Sequence, residues 1–225
     1  MLEGVRAGYG PVEVLHGVDL AFPTGTVVAL LGHNGSGSST VLRCAAGLLT
    51  PRSGRVLWDG VDITSASGYR RSTAGLCYVA DEHAVFSTLT VGENLALFGR
   101  PAPLDDTVAR AVEVFPELIR RLDQRAGTLS GGERQMLALT RVLVRPARAL
   151  LLDEVSRGLA AEVADRFFSE LRLLAGPDRV IVVCEPFIDM AVEQADLVYV
   201  MRRGAVTFAG QPGELDDDRM AAALH

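Results

Sequence analysis

The chain has 225 residues, of which 48% are apolar and 22% are charged, and its formal net charge is −6. A globular chain of this size buries a core large enough to fold without disulfides or metal ions. The acidic balance excludes the basic footprint of a nucleic-acid-binding protein, so we expect no nucleic-acid partner. All 22 basic residues are arginine, so no lysine elsewhere in the chain can replace one that is missing from a site.

The cysteines and the hydropathy pattern indicate a cytoplasmic protein. Cys44, Cys77 and Cys184 lie far apart among apolar residues, which predicts buried, reduced thiols. No leader segment is recognisable, and no apolar run approaches the ~18 residues that span a bilayer. We therefore expect any membrane association to come through a partner.

In chain order, the apolar runs predict strands that alternate with helices. Strands are expected at 12–20, 27–31, 56–58, 76–80, 149–152, 180–184, 197–201 and 204–210. A helix is expected after the Gly-rich turn that follows 27–31, a mostly helical block from about 87 to 144, and a further helix from about 160 to 174. This alternation predicts an α/β fold with a mostly parallel sheet and an antiparallel β portion. We expect one domain over 1–225, with the helical block as an inserted subdomain.

The first motif is GHNGSGSST at residues 32–40, a near match to the phosphate loop G-x-x-x-x-G-K-[ST]. Glycines let successive backbone N–H groups converge on phosphate oxygens, and the following helix N-terminus adds its dipole. Ser39 occupies the position of the hydroxyl that binds Mg²⁺, and Ser38 replaces the lysine. The candidate phosphate-binding residues are Asn34, Gly35, Ser36, Gly37, Ser38, Ser39 and Thr40.

The second motif is LSGGERQ at residues 129–135, which leads into a helical pattern. Ser130, Gly131 and Gly132 at a helix start expose N–H donors, which predicts a second anion-binding site. The third motif is LLLDE at residues 150–154. A carboxylate at the end of a buried strand, here Asp153, can bind Mg²⁺, and the adjacent Glu154 can activate a water molecule.

Three motifs in this order and spacing resemble the ATP-binding subunit of ABC transporters, over about residues 3–215. The resemblance implies a P-loop NTPase-type fold, ATP and Mg²⁺ as cofactors, and Tyr9 as the aromatic residue that stacks on adenine. More narrowly, Tyr9-Gly10 and the segments 85–95, 128–139 and 158–160 are similar to the smaller ATPase of branched-chain amino acid uptake systems. In that family the partners are transmembrane permease subunits and a second ATPase, and each ATP lies between the phosphate loop of one subunit and the LSGG segment of the other.

Four positions depart from the family pattern. The phosphate-loop lysine is Ser38, and the metal-sensing Gln or Glu after the strand at 76–80 is Asp81, which remains a candidate metal ligand. The switch residue near the γ-phosphate is Pro186, which has neither a polar side chain nor a backbone N–H, and the Pro after the catalytic glutamate is Val155. These changes predict weak or absent hydrolysis at the chain's own site. An engineered lysine-to-serine exchange would not explain Pro186.

The intact LSGG segment beside the degenerate phosphate loop predicts a division of labour in a heterodimer, where this chain supplies Ser130, Gly131 and Gly132 to a partner's nucleotide. The alternatives are a regulatory or scaffold subunit that never hydrolyses ATP, and an ABC-type ATPase that acts on DNA or the ribosome. The last is disfavoured because no long coiled coil separates the motifs and the chain has only one set of them. A helical face from His83 to Leu89 is the expected contact with a membrane subunit.

Overall fold

A computed structural model describes residues 1–80, 84–185 and 188–215 of the chain. Its strands are β1 (Leu2–Tyr9), β2 (Val12–Leu20), β3 (Val27–Leu31), β4 (Ser53–Trp58), β5 (Val61–Asp62), β6 (Leu76–Val79), β7 (Ala149–Asp153), β8 (Val180–Cys184), β9 (Leu197–Arg202) and β10 (Ala205–Gly210). Its α-helices are α1 (Ser38–Ala46), α2 (Gly68–Thr73), α3 (Val91–Phe98), α4 (Leu104–Val114), α5 (Gly131–Val144), α6 (Ala161–Leu174) and α7 (Ile188–Glu193). Short 3-10 helices lie at Pro116–Arg121, Ala126–Thr128 and Pro212–Glu214.

The strands form two sheets. The larger sheet has the order β10-β9-β3-β8-β7-β6, and all of its pairs are parallel except β10 with β9. The smaller sheet, β2-β1-β4-β5, is antiparallel. The predicted fold class, a mostly parallel sheet with an antiparallel portion, is therefore confirmed.

The central strand β3 shows why the continuous apolar runs form buried strands. Val27, Ala29 and Leu31 pack into one apolar cluster with helices α3–α6, while Val28 and Leu30 pack into a second cluster with α1 and the antiparallel sheet. Side chains alternate across a strand, so a strand covered on both faces needs apolar residues at every position. This burial holds the carboxyl ends of the parallel strands in place at one edge of the sheet.

The structure corrects three local expectations. β1 was not anticipated, because two glycines and two charged residues interrupt its apolar pattern; it pairs with both β2 and β4. Helix α2, with the sequence GYRRST, carries no apolar periodicity and was also missed. Residues 85–89 form bends and turns instead of the expected helical face, Ala84 has 3-10 conformation, and His83 lies outside the described residues.

A buried arginine joins α2 to α1. The Arg71 side chain is 2% exposed and donates hydrogen bonds to five backbone carbonyl oxygens, those of Cys44, Ala45, Ile63, Thr64 and Ala66. Two of these carbonyls belong to the last turn of α1, where a cation interacts favourably with the helix dipole. Arg71 thus fixes the C-terminal end of the helix whose N-terminus follows the phosphate loop.

Candidate nucleotide-binding site

The first and third motifs meet at the carboxyl edge of the parallel sheet. Strand β8 lies between β3 and β7, and Cys184 at its end pairs with Leu30 of β3 and with Asp153 of β7. Ligands of open α/β sheets bind at this edge. A cavity of about 260 Å³ opens there. Its lining comprises Tyr9, Val14, Gly32, His33, Asn34, Gly35, Gly37, Ser38, Ser39, Thr40, Glu154, Cys184 and Glu185.

The phosphate loop has the geometry of an anion cradle. Gly35 and Gly37 adopt left-handed backbone conformations, with φ of 85° and 102°, which glycine accepts without strain. Gly37 is the N-cap of α1 and has no side chain to offer the helix N–H groups, of which that of Ser38 lies 3.5 Å from Ser36 Oγ. Ser36 is fully buried and packs against Gly32. Its hydroxyl oxygen lies 2.5 Å from the position that a Cβ on Gly32 would occupy, so this close approach requires glycine. Backbone donors at the start of α1 are therefore available for phosphate oxygens.

Ser38 occupies the lysine position of the phosphate loop. Its side chain is buried at the start of α1, and its Oγ lies 3.2 Å from the Ser36 Oγ. Among the described residues that line the cavity, no arginine or lysine is present, whereas Glu154 and Glu185 contribute carboxyl groups.

Two of the predicted metal ligands are adjacent. The Ser39 hydroxyl donates to Asp153 Oδ1 at 2.7 Å, and the Tyr78 phenol donates to Asp153 Oδ2 at 2.8 Å. Burial and the nearby Asp153 raise the pKa of Tyr78, so the phenol stays protonated and keeps donating. A hydroxyl beside a carboxylate provides the oxygen ligands that Mg²⁺ prefers, so the residues present fit this metal. Asp81, the third predicted ligand, lies outside the described residues, as does Pro186.

Glu154 and Tyr9 flank the cavity from opposite sides. Glu154 follows β7 in a left-handed conformation with φ of 53°, its N–H donates to the Cys184 carbonyl at 2.8 Å, and Arg157 lies 3.5 Å from its carboxylate. Tyr9 ends β1 with 43% of its side chain exposed, and its phenol accepts a hydrogen bond from Arg43 at 3.0 Å. An exposed ring at the mouth of the cavity is available for stacking.

Sequence reasoning missed a buried carboxyl group at this edge. Glu185 is 1% exposed, and it accepts hydrogen bonds from the N–H and the hydroxyl of Ser156, at 3.0 and 2.5 Å. Burial, reinforced by the charge of Glu154, raises the pKa of Glu185 to about 7. The signal was present in the sequence: Glu185 follows the apolar run 180–184 just as Asp153 and Glu154 follow the run 149–152.

We expect Glu185 to make stability pH-dependent. Its folded pKa is raised above the unfolded value, so the protonated form stabilises the fold below about pH 4.5 and this contribution is lost as pH rises towards 7. The full contribution of Glu185 to the free energy of unfolding is about 3 kcal/mol. The free energy of unfolding, measured with urea at pH 5 and at pH 8, should differ less between the two pH values for Glu185→Gln than for the wild type. An equal difference in the two proteins would contradict the assignment.

The second motif lies apart from this cavity. Ser130 caps α5 in a reciprocal capping box: its backbone N–H and its hydroxyl both donate to Glu133 Oε2 at 2.9 Å, and the Glu133 N–H donates back to Ser130 Oγ at 3.3 Å. Ser130 and Gly131 are exposed, while a Cβ on Gly132 would stand 3.0 Å from the Gly158 carbonyl oxygen. None of the three residues is among the described residues lining the cavity, so the structure brings the first and third motifs together and leaves the second facing outward.

Comparisons with known proteins agree with this geometry. The ABC transporter family profile matches residues 15–157. A probable branched-chain amino acid transport ATP-binding protein of Archaeoglobus fulgidus is 37% identical over 94% of this chain and 91% of its own. A sulfate/thiosulfate import ATP-binding protein of Thermosynechococcus vestitus is also 37% identical, over 96% of this chain but 65% of its own.

A solved structure of the same family has the same fold. A nucleotide-free ATP-binding cassette from an ABC transporter superposes with a TM-score of 0.77 and 25% identity, covering 99% of this chain and 93% of that structure. Over the residues that the structure describes, no helix is both long and apolar enough to cross a membrane. The chain belongs to the ABC transporter family, as an ATP-binding subunit.

Proposed function

We propose that this chain is the non-hydrolysing ATP-binding subunit of an asymmetric transporter, and that its LSGG segment completes the active site of a second ATPase. The observation that carries this proposal is the contrast between its two anion sites. The described residues that line its own cavity include two glutamates and no arginine or lysine, whereas Ser130 and Gly131 are exposed at the start of α5. The residues Gly131 and Gly132 and the cap Ser130 are those that the family places against the partner's ATP.

The electrostatics of the cavity support weak binding at the chain's own site. A phosphate-loop lysine supplies a full positive charge to the β- and γ-phosphates. Among the described residues that line the cavity, no arginine or lysine takes its place, and Glu154 and Glu185 border the same space. Like charges at short range disfavour binding, and Mg²⁺ at Ser39 and Asp153 would offset only part of this repulsion. Mg²⁺, when bound, neutralises phosphate charge.

The residues around α5 support a rigid donor segment. The Glu133 carboxylate that holds Ser130 also interacts with Arg121, whose Nε lies 3.1 Å away. The amide of Gln135 is buried and donates to the Val155 carbonyl at 2.8 Å, which ties α5 to the loop that follows Glu154. A segment anchored at both ends can present its first turn to another subunit with little loss of conformational entropy on binding.

The cargo class rests on the relatives. The branched-chain amino acid protein matches this chain nearly from end to end, whereas the sulfate importer is a longer protein. We therefore assign the subunit to a branched-chain amino acid uptake-like system at the cytoplasmic face of a membrane. Cargo itself would be selected by other subunits.

A groove between α2 and α5 is suited to a permease segment. It encloses about 160 Å³ and is lined by Leu48, Ser72, Arg141 and Arg145, among others. Leu48 lines the groove and has a relative exposure of 61%, and Tyr69, which follows the lining residue Gly68, has a relative exposure of 79%. Large apolar residues that remain exposed beside a groove are typical of protein interaction sites. This surface replaces the segment from His83 to Leu89 as our main candidate contact with transmembrane subunits.

A regulatory or scaffold subunit is the second candidate function. It is favoured by the same loss of the lysine, because a subunit that only binds nucleotide needs no catalytic charge. The two functions differ in what the LSGG segment does. A transporter subunit uses it to complete a partner's active site, and a scaffold does not.

The experiment is ATP turnover by the purified chain, alone and mixed with the second ATPase from its gene cluster. We expect no turnover by the chain alone and clear turnover by the mixture, above that of the second ATPase by itself. Mass measurement of the active species should give one copy of each chain. Brisk hydrolysis by this chain alone would refute the degenerate-site proposal, and an inactive but stable complex would favour the scaffold.

A further inference from the structure

A set of polar interactions connects Tyr9, which lines the cavity, with Asp153, which accepts a hydrogen bond from the cavity-lining Ser39. Arg43, in the last turn of α1, donates from Nη1 to the Tyr9 phenol at 3.0 Å, and its guanidinium also interacts electrostatically with the nearby Tyr78 phenol. Tyr78 donates to Asp153 Oδ2 at 2.8 Å. Tyr9, Arg43, Tyr78 and Asp153 are called the Tyr9–Asp153 network below.

The chemistry of Arg43 suits it to join two phenols. Guanidinium has five N–H donors in a fixed planar fork, so one side chain can hold two acceptors at a set separation. Tyr9 belongs to the antiparallel sheet and Tyr78 to the parallel sheet. Arg43 therefore interacts with elements of both sheets. Tyr9 lines the cavity directly, whereas Tyr78 is connected to it through Asp153 and the cavity-lining Ser39.

We propose that Arg43 is a positioning residue that couples the adenine-stacking ring of Tyr9 to the metal-binding carboxylate of Asp153 through Tyr78. This inference rests on the proposed nucleotide site. It goes beyond it because it assigns a residue that contacts neither base nor metal and that controls both contacts.

The missing lysine makes this coupling important. With Ser38 in its place, the phosphates contribute less to binding, so contacts at the two ends of the nucleotide supply a larger share. The base contact depends on Tyr9, which is exposed and therefore needs a neighbour to orient it. The metal contact depends on Asp153, whose two carboxylate oxygens accept hydrogen bonds from Ser39 and Tyr78. Side chains that are oriented before binding lose less entropy on binding.

The test uses calorimetric dissociation constants for three probes: ATP with Mg²⁺, ATP with EDTA, and tripolyphosphate with Mg²⁺. The dissociation constant for tripolyphosphate divided by that for ATP, both with Mg²⁺, is called the base ratio and reports the contribution of the base. The dissociation constant for ATP in EDTA divided by that for ATP with Mg²⁺ is called the metal ratio and reports the contribution of the metal. All measurements are made in the wild type and in a Ser38→Lys background, where the restored charge brings affinity into the measurable range.

We expect Tyr9→Phe to lower only the base ratio and Tyr78→Phe to lower only the metal ratio, whereas Arg43→Met lowers both. Each decrease should be about 3- to 10-fold, the range of one or two lost hydrogen bonds. Arg43→Lys should restore one ratio in part, because an ammonium lacks the fork that holds two phenols. Arg55→Gln, in an exposed ion pair with Glu3, is the matched control and should change neither ratio.

The outcomes separate this inference from the proposed function. If nucleotide binds but Arg43→Met leaves both ratios at wild-type values, or lowers only one of them, the coupling is refuted and the proposed nucleotide site still stands. Absence of nucleotide binding in both backgrounds would overturn the proposed site and the coupling together. A purely structural role for Arg43 would lower the unfolding temperature without changing the ratios, and would also refute the proposal.

Discussion

Replacing Ser38 with lysine is expected to strengthen Mg-ATP binding to the isolated chain by about 10- to 100-fold. A hydrogen bond to a charged group contributes about 1.5–3 kcal/mol, and about 1.4 kcal/mol corresponds to a factor of ten. Residue 38 lies at the start of α1, and its side chain borders the cavity that Glu154 and Glu185 also line. A lysine there would counter both carboxylates as well as the phosphates. Isothermal titration calorimetry measures the effect directly.

The control for this substitution is Ser38→Met, which adds a side chain of comparable length without charge. We expect no gain in affinity from it. Hydrolysis by the Ser38→Lys variant should remain slow, because the sequence also places proline at position 186, where the family has a hydrogen-bonding switch residue. Equal gains from methionine and lysine would show that filling the space, and not restoring the charge, was responsible.

Ser130→Ala is expected to lower ATP turnover by the complex with the second ATPase about 10²- to 10³-fold, the range for removing one donor to charge that develops in a transition state. The affinity of this chain's own cavity for nucleotide should not change, since Ser130 does not line it. The two readouts together assign the residue to the partner's site. Turnover is measured with this chain in excess, so that a modest loss of assembly does not limit the rate.

Loss of the N-cap is the competing explanation for any effect of Ser130→Ala, because an N-cap contributes about 1 kcal/mol to helix stability. Thr90 provides the matched control. It caps α3 in an equivalent capping box, in which Thr90 accepts from the Glu93 N–H at 3.1 Å and its own N–H donates to Glu93 at 2.7 Å. Thr90→Ala should cost similar stability and leave turnover unchanged. Equal losses of turnover in both variants would remove the support for the donor function.

The sequence was sufficient for much of the fold and for the family. Runs such as 149–152 and 180–184 are apolar at every position, which only strands buried on both faces require, and the structure places both in the centre of the parallel sheet. The short elements β1 and α2 were missed because glycine and arginine leave no periodic pattern in them. Their structure depends on tertiary partners: β1 pairs with two strands, and α2 is held through Arg71.

By itself, the sequence determined which chemical groups exist: an LSGG segment, two consecutive carboxylates after a buried run, and a serine where a lysine is expected. These are local patterns, readable because neighbouring residues share a strand end or a helix start. Only the tertiary structure decided which distant groups meet. Tyr9, Arg43, Tyr78 and Asp153 come together because the strand order places the ends of β6 and β7 next to each other and α1 crosses beside them. Glu185 became a buried acid for the same reason, since it follows β8, which lies between β3 and β7, and this burial disfavours its charged form.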